Sequence, residues 1–367
     1  MDSVKKTALY DAHVALGGKV IDFAGWALPV QYEGILEEHE AVRNAAGIFD
    51  VSHMGEVEVK GPGAFDFVQN LVTNDVSTLE DNQILYGMMC YENGGVVDDL
   101  LVYKFEQDFF YLVINASNVD KDFAWMQEQS KGFDVELNNV SPEVSEVAIQ
   151  GPLAQDILQK VVDVDLSEIK FFYCNRNVTI EGAKCLVSRT GYTGEDGFEV
   201  YTDNSSIEKV WNALMAVGAP MGLKPAGLGC RDTLRFEAAL PLYGNEIDAD
   251  ITPLEAGLGF FVKLGKENFI GKDALVAQKA NGLPRKTVGF EMAKGIPRHG
   301  YEVVSGDEVI GVVTTGYLSP TLGKNIGMAL IDSKYGEMGS EIGIRVRKNV
   351  YPATVVSKRF YQKNYKK

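Results

Sequence analysis

Apolar positions follow two rhythms along this chain, and the balance between them shifts near residue 282. Upstream, helical and strand periods are mixed. Helical spacing marks 35–44, with acidic residues on its exposed face, and also 64–71, 119–129, 154–161 and 226–238. Apolar or alternating runs predict strands at 57–59, 84–90, 96–104 and 109–116, and on both sides of a glycine-rich turn at 190–197. The block VIDFAGWALPVQY reads as a strand followed by a Gly-Trp turn. Beyond Gly282-Leu283-Pro284-Arg285-Lys286 the period falls to 2. Strands at 286–292, 302–304, 309–315, 326–331, 341–347 and 351–356 predict a separate all-β barrel or jelly-roll-like domain.

An internal echo lies in the first half. The stretch Glu56–Phe65 resembles Val147–Gln155: each is a strand, a Gly-Pro turn at 61 or 151, and then a helix. Proline just ahead of a first helical turn is where proline is tolerated. The two units predict a pseudo-duplicated α+β architecture rather than a Rossmann sheet. No GxGxxG or GxxxxGK[ST] follows a strand, so nucleotide phosphates find no evident cradle.

The candidate chemistry gathers in a few places. In Gly94–Tyr103 two adjacent carboxylates, Asp98 and Asp99, interrupt a strand where Val or Ile is usual. Neighbouring strand residues face opposite sides, so the two cannot share a site. One meets solvent or a backbone donor, and the other looks across the sheet. A turn-capping pair is the structural alternative to a carboxylate that handles a proton or holds a nitrogen base. The meander 84–116 brings Tyr86, the aspartates and Asn115 into one neighbourhood, although Asn115 could equally cap the following helix. Glu199 lies among apolar residues after the turn Thr190–Gly197, whose three glycines permit close backbone approach to a ligand. An unpartnered carboxylate is costly there, so it should meet an arginine or a ligand with two parallel N–H donors. Arg231, on the 226–238 helix, could pair with such an acid or anchor an acidic ligand. His53 reads as a hydrogen-bonded structural residue and Met54 as core.

Composition narrows the classes. Over 367 residues the formal charge is -16, with 46% hydrophobic and 23% charged residues, an ordinary globular balance with room for two or three domains. Such acidity argues against nucleic-acid or anionic-membrane partners. The cysteines at 90, 174, 185 and 230 form no Cys-x-x-Cys pair and read as reduced thiols of a cytoplasmic protein. No signal-peptide core and no membrane-length apolar run occur. Four scattered histidines, with no HExxH, argue against a catalytic metal.

Seven segments in register carry a family resemblance: DFAGWALPVQY, FDVSHMGE, GGVVDDLLVYK, SRTGYTGEDGFE, RDTLRFEA, PLEAGLGF and TTGYLSPTLGKNIGMA. Together, from Asp22 to Val356, the chain resembles the glycine cleavage system T-proteins, the aminomethyltransferases. The resemblance implies an α+β, multi-domain cloverleaf around a central folate channel. Two interleaved α/β-type sheet domains span 1–50 with 140–245 and 51–139 with 246–280, and a C-terminal β-barrel domain spans 285–367. It implies transfer of the one-carbon unit of an aminomethyl group, carried on a lipoylated H-protein, to tetrahydrofolate as co-substrate. Asp99 would be the key carboxylate, and Met54, Tyr86, Asn115, Tyr192, Glu199 and Arg231 would hold the folate. Phe260 stands where some relatives have Trp, which would weaken stacking slightly. A further folate contact could fall on Arg359, Tyr361, Lys363 or Tyr365, and Arg298 on the lipoyl entrance or a surface salt bridge. A folate-binding scaffold without turnover is the alternative. Its relatives carry Lys-Gly-Cys-Tyr-x-Gly-Gln-Glu where this chain has Arg189–Asp196. A detached folate module of a flavin-dependent oxidase is a third reading, and the missing dinucleotide fingerprint speaks against it.

Overall fold

Two twisted sheets lie with their inner faces together, and a closed barrel packs beside them. This is the arrangement in a computed structural model that describes residues 4–366. The first sheet runs in the order 83–90, 96–106, 109–114, 55–60, 136–139, all antiparallel. The second runs 174–180, 183–188, 197–203, 144–150, 46–50, 223–225. Read side by side, the two orders are the same, with the strand Ala46–Asp50 inserted in the second. Each unit also carries a one-turn helix after its main helix. Asp75 and Asp165 cap these turns by accepting from the backbone N–H of Ser77 and Ser167. The duplication is therefore deeper than the two Gly-Pro turns suggested.

Strand period 2 sorts each sheet into two faces. Outward, Val57, Val59, Leu100 and Val102 pack under the helices Ala64–Leu71 and Val119–Gln129. Ile48, Val147, Ile149, Phe198 and Val200 likewise pack under Ile207–Gly218, whose Trp211 is fully buried. Inward, Tyr103, Tyr111 and Tyr201 meet between the sheets, and the Tyr103 and Tyr201 hydroxyls lie 2.9 Å apart. The facing surfaces therefore form a seam in which aromatic rings and tyrosine hydroxyls mix with aliphatic side chains such as Ile84 and Val113.

The C-terminal strands 285–292, 302–305, 308–318, 325–332, 341–346 and 349–356 close into a six-stranded barrel, which settles the barrel-or-jelly-roll alternative. One expected helix is shorter than its periodicity indicated: 154–161 is helical only over Ala154–Leu158. Lys160 and Val161 take the tighter bonds to Ile157 and Leu158, and the Gln159 side chain bonds Val164 and Leu166 further on. The four cysteines are free and buried. Among the described residues, no helix is long and apolar enough to cross a membrane.

Candidate active site

The open end of the seam widens into a cavity of about 500 Å³. All seven residues singled out in the sequence line it: Met54, Tyr86, Asp99, Asn115, Tyr192, Glu199 and Arg231. Tyr86, Asp99 and Glu199 come from the two sheets, Asn115 follows the strand 109–114, Met54 lies in the loop before 55–60, Tyr192 in the glycine-rich turn and Arg231 on the helix Leu228–Glu237.

The two aspartates part as the strand period requires. Asp98 turns toward the helix layer, fully buried. It accepts from the Asn115 backbone N–H at 3.1 Å, and from Asn115 Nδ2 at 2.8 Å and Asn118 Nδ2 at 2.9 Å. Asp99 turns into the cavity. Its Oδ2 accepts from the Tyr86 hydroxyl at 3.0 Å and its Oδ1 from Asn115 Nδ2 at 2.8 Å. Burial, with the neighbouring Asp98 charge, pushes the Asp99 carboxyl up to about 7, and the two hydrogen bonds only partly offset that. Asn115 thus bridges the aspartates instead of capping the next helix.

Across the cavity, Glu199 meets no arginine directly. It accepts from the Thr190 hydroxyl, which lies against Ser188 Oγ at 2.7 Å; that in turn lies 3.1 Å from the Tyr103 hydroxyl. Burial raises the Glu199 carboxyl, and Thr190 and the Arg231 charge hold it down. Arg231 makes no ion pair among the described residues, and its guanidinium lies 4.6 Å from the centre of the Tyr192 ring. Tyr192 donates its own hydroxyl to the Pro241 carbonyl. One cation and one carboxylate thus face the same space without being spent on each other.

The glycine-rich turn works differently from expectation. A Cβ on Gly191 would lie 1.9 Å from Gln150 Oε1, so the close approach is to a buried side chain of the protein as well as to the cavity. His53 is buried, but its Nδ1 has no hydrogen-bond partner. Burial and the Arg231 charge push the ring down to about 3, so it is neutral at ordinary pH. Phe260, expected to stack on ligand, is instead 78% exposed beneath the Lys263 ammonium. Its neighbour Phe261 lines the cavity, edge-on to Tyr86 at 4.7 Å. A one-turn helix at Gly259–Phe261 decides which ring points in.

Of the four C-terminal candidates, Lys363 and Tyr365 reach the cavity, while Arg359 and Tyr361 do not. The tail is held down at several points. Tyr361 donates to Glu195 Oε1 at 2.5 Å, Asn364 N–H to the Gly194 carbonyl at 2.8 Å, and Tyr365 stacks on Phe171 at 4.6 Å. Arg298 does not line the cavity; its guanidinium lies over the Tyr317 ring and donates to the Gly316 carbonyl, and it makes no salt bridge among the described residues. Glu146, Asn74, Phe171, Phe172 and Leu242 also line the cavity and were missed.

Comparison with known proteins gives a consistent picture. The GCVT N-terminal domain matches residues 9–266, and the glycine cleavage T-protein C-terminal barrel domain matches 285–362. The aminomethyltransferase of Alkaliphilus oremlandii is 66% identical over the whole of both chains, and that of Thermoanaerobacter pseudethanolicus is 63% identical, also over the whole of both. The crystal structure of the glycine cleavage system aminomethyltransferase T from Bartonella henselae superposes with a TM-score of 0.93. It is 30% identical and is covered completely, as is this chain.

Proposed function

The chain belongs to the glycine cleavage T-protein family, the aminomethyltransferases, and from that premise we propose a specific reaction for its cavity. The cavity takes tetrahydrofolate and receives the aminomethyl group from the lipoyl arm of an H-protein. The one-carbon unit becomes bonded to N5 and N10 of the folate, and the C–N and C–S bonds of the carrier break. The two protons leaving N5 and N10 are taken up by the departing ammonia and by the lipoyl thiolate. Methylenetetrahydrofolate, ammonia and dihydrolipoyl H-protein result.

The observation that carries this reading is the placement of three ionisable side chains around one apolar space: Glu199, Arg231 and Asp99 all line it, and none is ion-paired among the described residues. A pterin presents an amide N–H beside an exocyclic amine, and one carboxylate, Glu199, can accept both. The carboxylate tail of folate suits Arg231 and Lys363. Asp99, poised near 7, suits accepting an N–H proton and returning it. Tyr86 and Asn115 fix its carboxyl, which is the orienting support a proton acceptor needs. The interleaved partition into domains 1–50 with 140–245, 51–139 with 246–280, and 285–367 is proposed on the same footing, supported by sheet membership. We place the reaction in the cytoplasm, in keeping with four unpaired thiols.

The test supplies aminomethyl-loaded lipoyl H-protein with and without tetrahydrofolate, and follows ammonia and methylenetetrahydrofolate. Folate-dependent appearance of both supports the reaction. Tight folate binding with neither product would replace it by the scaffold reading. Two variants test the placement of folate. Glu199→Gln replaces one of the two acceptor oxygens by an N–H donor and should weaken tetrahydrofolate by ~10–100-fold in calorimetry. Lys363→Met should weaken it by about 5-fold. The Lys363 effect should vanish with 6-methyltetrahydropterin, which lacks the p-aminobenzoylglutamate tail and its carboxylates. An equal effect on both ligands would mean that Lys363 does not meet the tail.

A further inference from the structure

Glu146 is a buried acid that the reaction above does not use. The strand Val144–Gln150 pairs with Gly197–Asp203 so that Glu146 sits opposite Tyr201 and Ala148 opposite Glu199. With a period of 2, Glu146 and Glu199 therefore project from the same face as diagonal neighbours. Both line the cavity. Glu146 is 2% exposed, its Oε2 has no hydrogen-bond partner, and it forms no ion pair among the described residues. Behind it lies Glu56, on the inner face of the other sheet, with both carboxyl oxygens buried and unpartnered. The two glutamates hold equivalent places in the duplicated units, each five residues before its Gly-Pro turn. Three carboxyls thus lie close together, and among the described residues Arg231 is the cation whose charge bears on Glu146 and Glu199.

An ionised Glu146 there would be desolvated and repelled by Glu199 and Glu56, and burial with those charges raises its carboxyl well above the ordinary range. As a neutral acid it offers what its neighbour does not, an O–H donor. The ligand chemistry calls for one. On a pterin the N3–H and 2-amino donors are flanked on one side by the 4-oxo group and on the other by N1, and both are acceptors. Whichever way Glu199 engages the donor pair, the adjacent carboxyl meets an acceptor.

We propose that Glu146 is a specificity-determining residue, which donates its carboxylic O–H to the ring acceptor beside the donor pair held by Glu199. The proposal rests on the folate reading. Together the two glutamates form an acceptor–donor pair that matches the oxo-amino edge of the ring, and Thr190 holds Glu199 in that register.

The experiment measures dissociation constants of tetrahydrofolate, its 4-amino analogue and its 1-deaza analogue for wild type, Glu146→Gln and Glu146→Met. Gln keeps an N–H donor of similar reach, and Met keeps the volume without one. Met should weaken tetrahydrofolate by ~10-fold and Gln by less than about 3-fold. With one of the two analogues, the Met substitution should cost nothing further, because the acceptor is already gone; that analogue identifies the acceptor. An equal Met penalty with all three ligands, or none with any, overturns the proposal. A second measurement needs only one variant to fold. Infrared difference spectra of wild type on folate binding should show the C=O stretch of an un-ionised carboxylic acid shifting, and Gln should abolish the band. A spectrum with only carboxylate bands would also overturn it. Failure of wild type to bind any of the three ligands would instead strike the folate reading itself, so the two failures are distinguishable.

Discussion

Asp99→Asn is expected to lower the aminomethyl transfer rate by ~10²–10⁴-fold while leaving tetrahydrofolate affinity within a few-fold. The substitution keeps the shape and the bond from Asn115 to the remaining carbonyl oxygen, leaves the Tyr86 hydroxyl to turn from donor to acceptor toward the new amide, and removes the capacity to take a proton. Binding rests on Glu199, Arg231 and the apolar walls, so kcat should fall rather than KM rise. The pH profile gives a second reading. The Asp99 carboxyl is raised to about 7, so the fraction ionised grows through neutrality. A wild-type transfer rate that climbs through about pH 7 and a flat residual rate in Asp99→Asn would identify the group. Asp98→Asn supplies the contrast. It faces the helix layer and holds Asn115, so it should cost stability and some rate without removing the pH step. Should Asp98→Asn abolish the pH step and Asp99→Asn retain it, the assignment of the two would be reversed.

Arg235→Met should be the most destabilising single change in the helix that carries Arg231. Arg235 is 1% exposed where this helix meets the barrel. Its Nε donates to Asp232 Oδ1 at 2.7 Å, Nη1 to Glu246 Oε2 at 2.8 Å, and Nη2 to the Thr315 hydroxyl at 3.1 Å; Thr315 in turn donates to Glu246 Oε1 at 2.6 Å. Methionine fills the space but leaves Glu246 buried without its cation. Breaking such a pair from one side costs ~3–5 kcal/mol, which should lower the melting temperature by about 5–15 °C. Most of that cost comes from the stranded charge. The double variant with Glu246→Gln should therefore melt above the single one, and a double variant no better than the single would assign the loss to packing instead. Urea titration of the three proteins separates these outcomes.

Much of the site was written in local pattern, and what was missed was missed for one reason. Period 2 alone required Asp98 and Asp99 to face opposite ways, and the structure adds only which layer each one meets. The apolar surroundings of Glu199 signalled a buried carboxylate from sequence. Glu146 carried no such signal. In the run Val-Ser-Glu-Val-Ala-Ile-Gln, alternation puts Glu146, Ala148 and Gln150 on one face, and that face reads as the one turned to solvent. Only the packing of a second sheet on that face, set by contacts far away in sequence, makes the glutamate interior. Lys363 and Tyr365 were legible as candidates but not selectable, because an irregular tail has no period to say which side chains turn inward. Phe260 and Phe261 failed similarly, since a single tight turn exchanges neighbouring rings. Local periodicity specifies faces within an element; which face becomes a cavity wall depends on what covers it.

The inserted strand Ala46–Asp50 has a consequence for biosynthesis. It is five residues long and wholly buried, yet its two neighbours are 144–150 and 223–225. Joining such distant segments adds little to the equilibrium cost, because loop-closure entropy grows only logarithmically with length. The cost is in time. At a ribosomal pace of ~5–20 residues/s, roughly 5–20 s pass before the first partner strand follows it out. During that interval an Ala-Gly-Ile-Phe-Asp edge is free to pair with any other exposed strand. A version of this chain stalled or truncated between residues 60 and 140 should therefore accumulate as aggregate rather than as a soluble half.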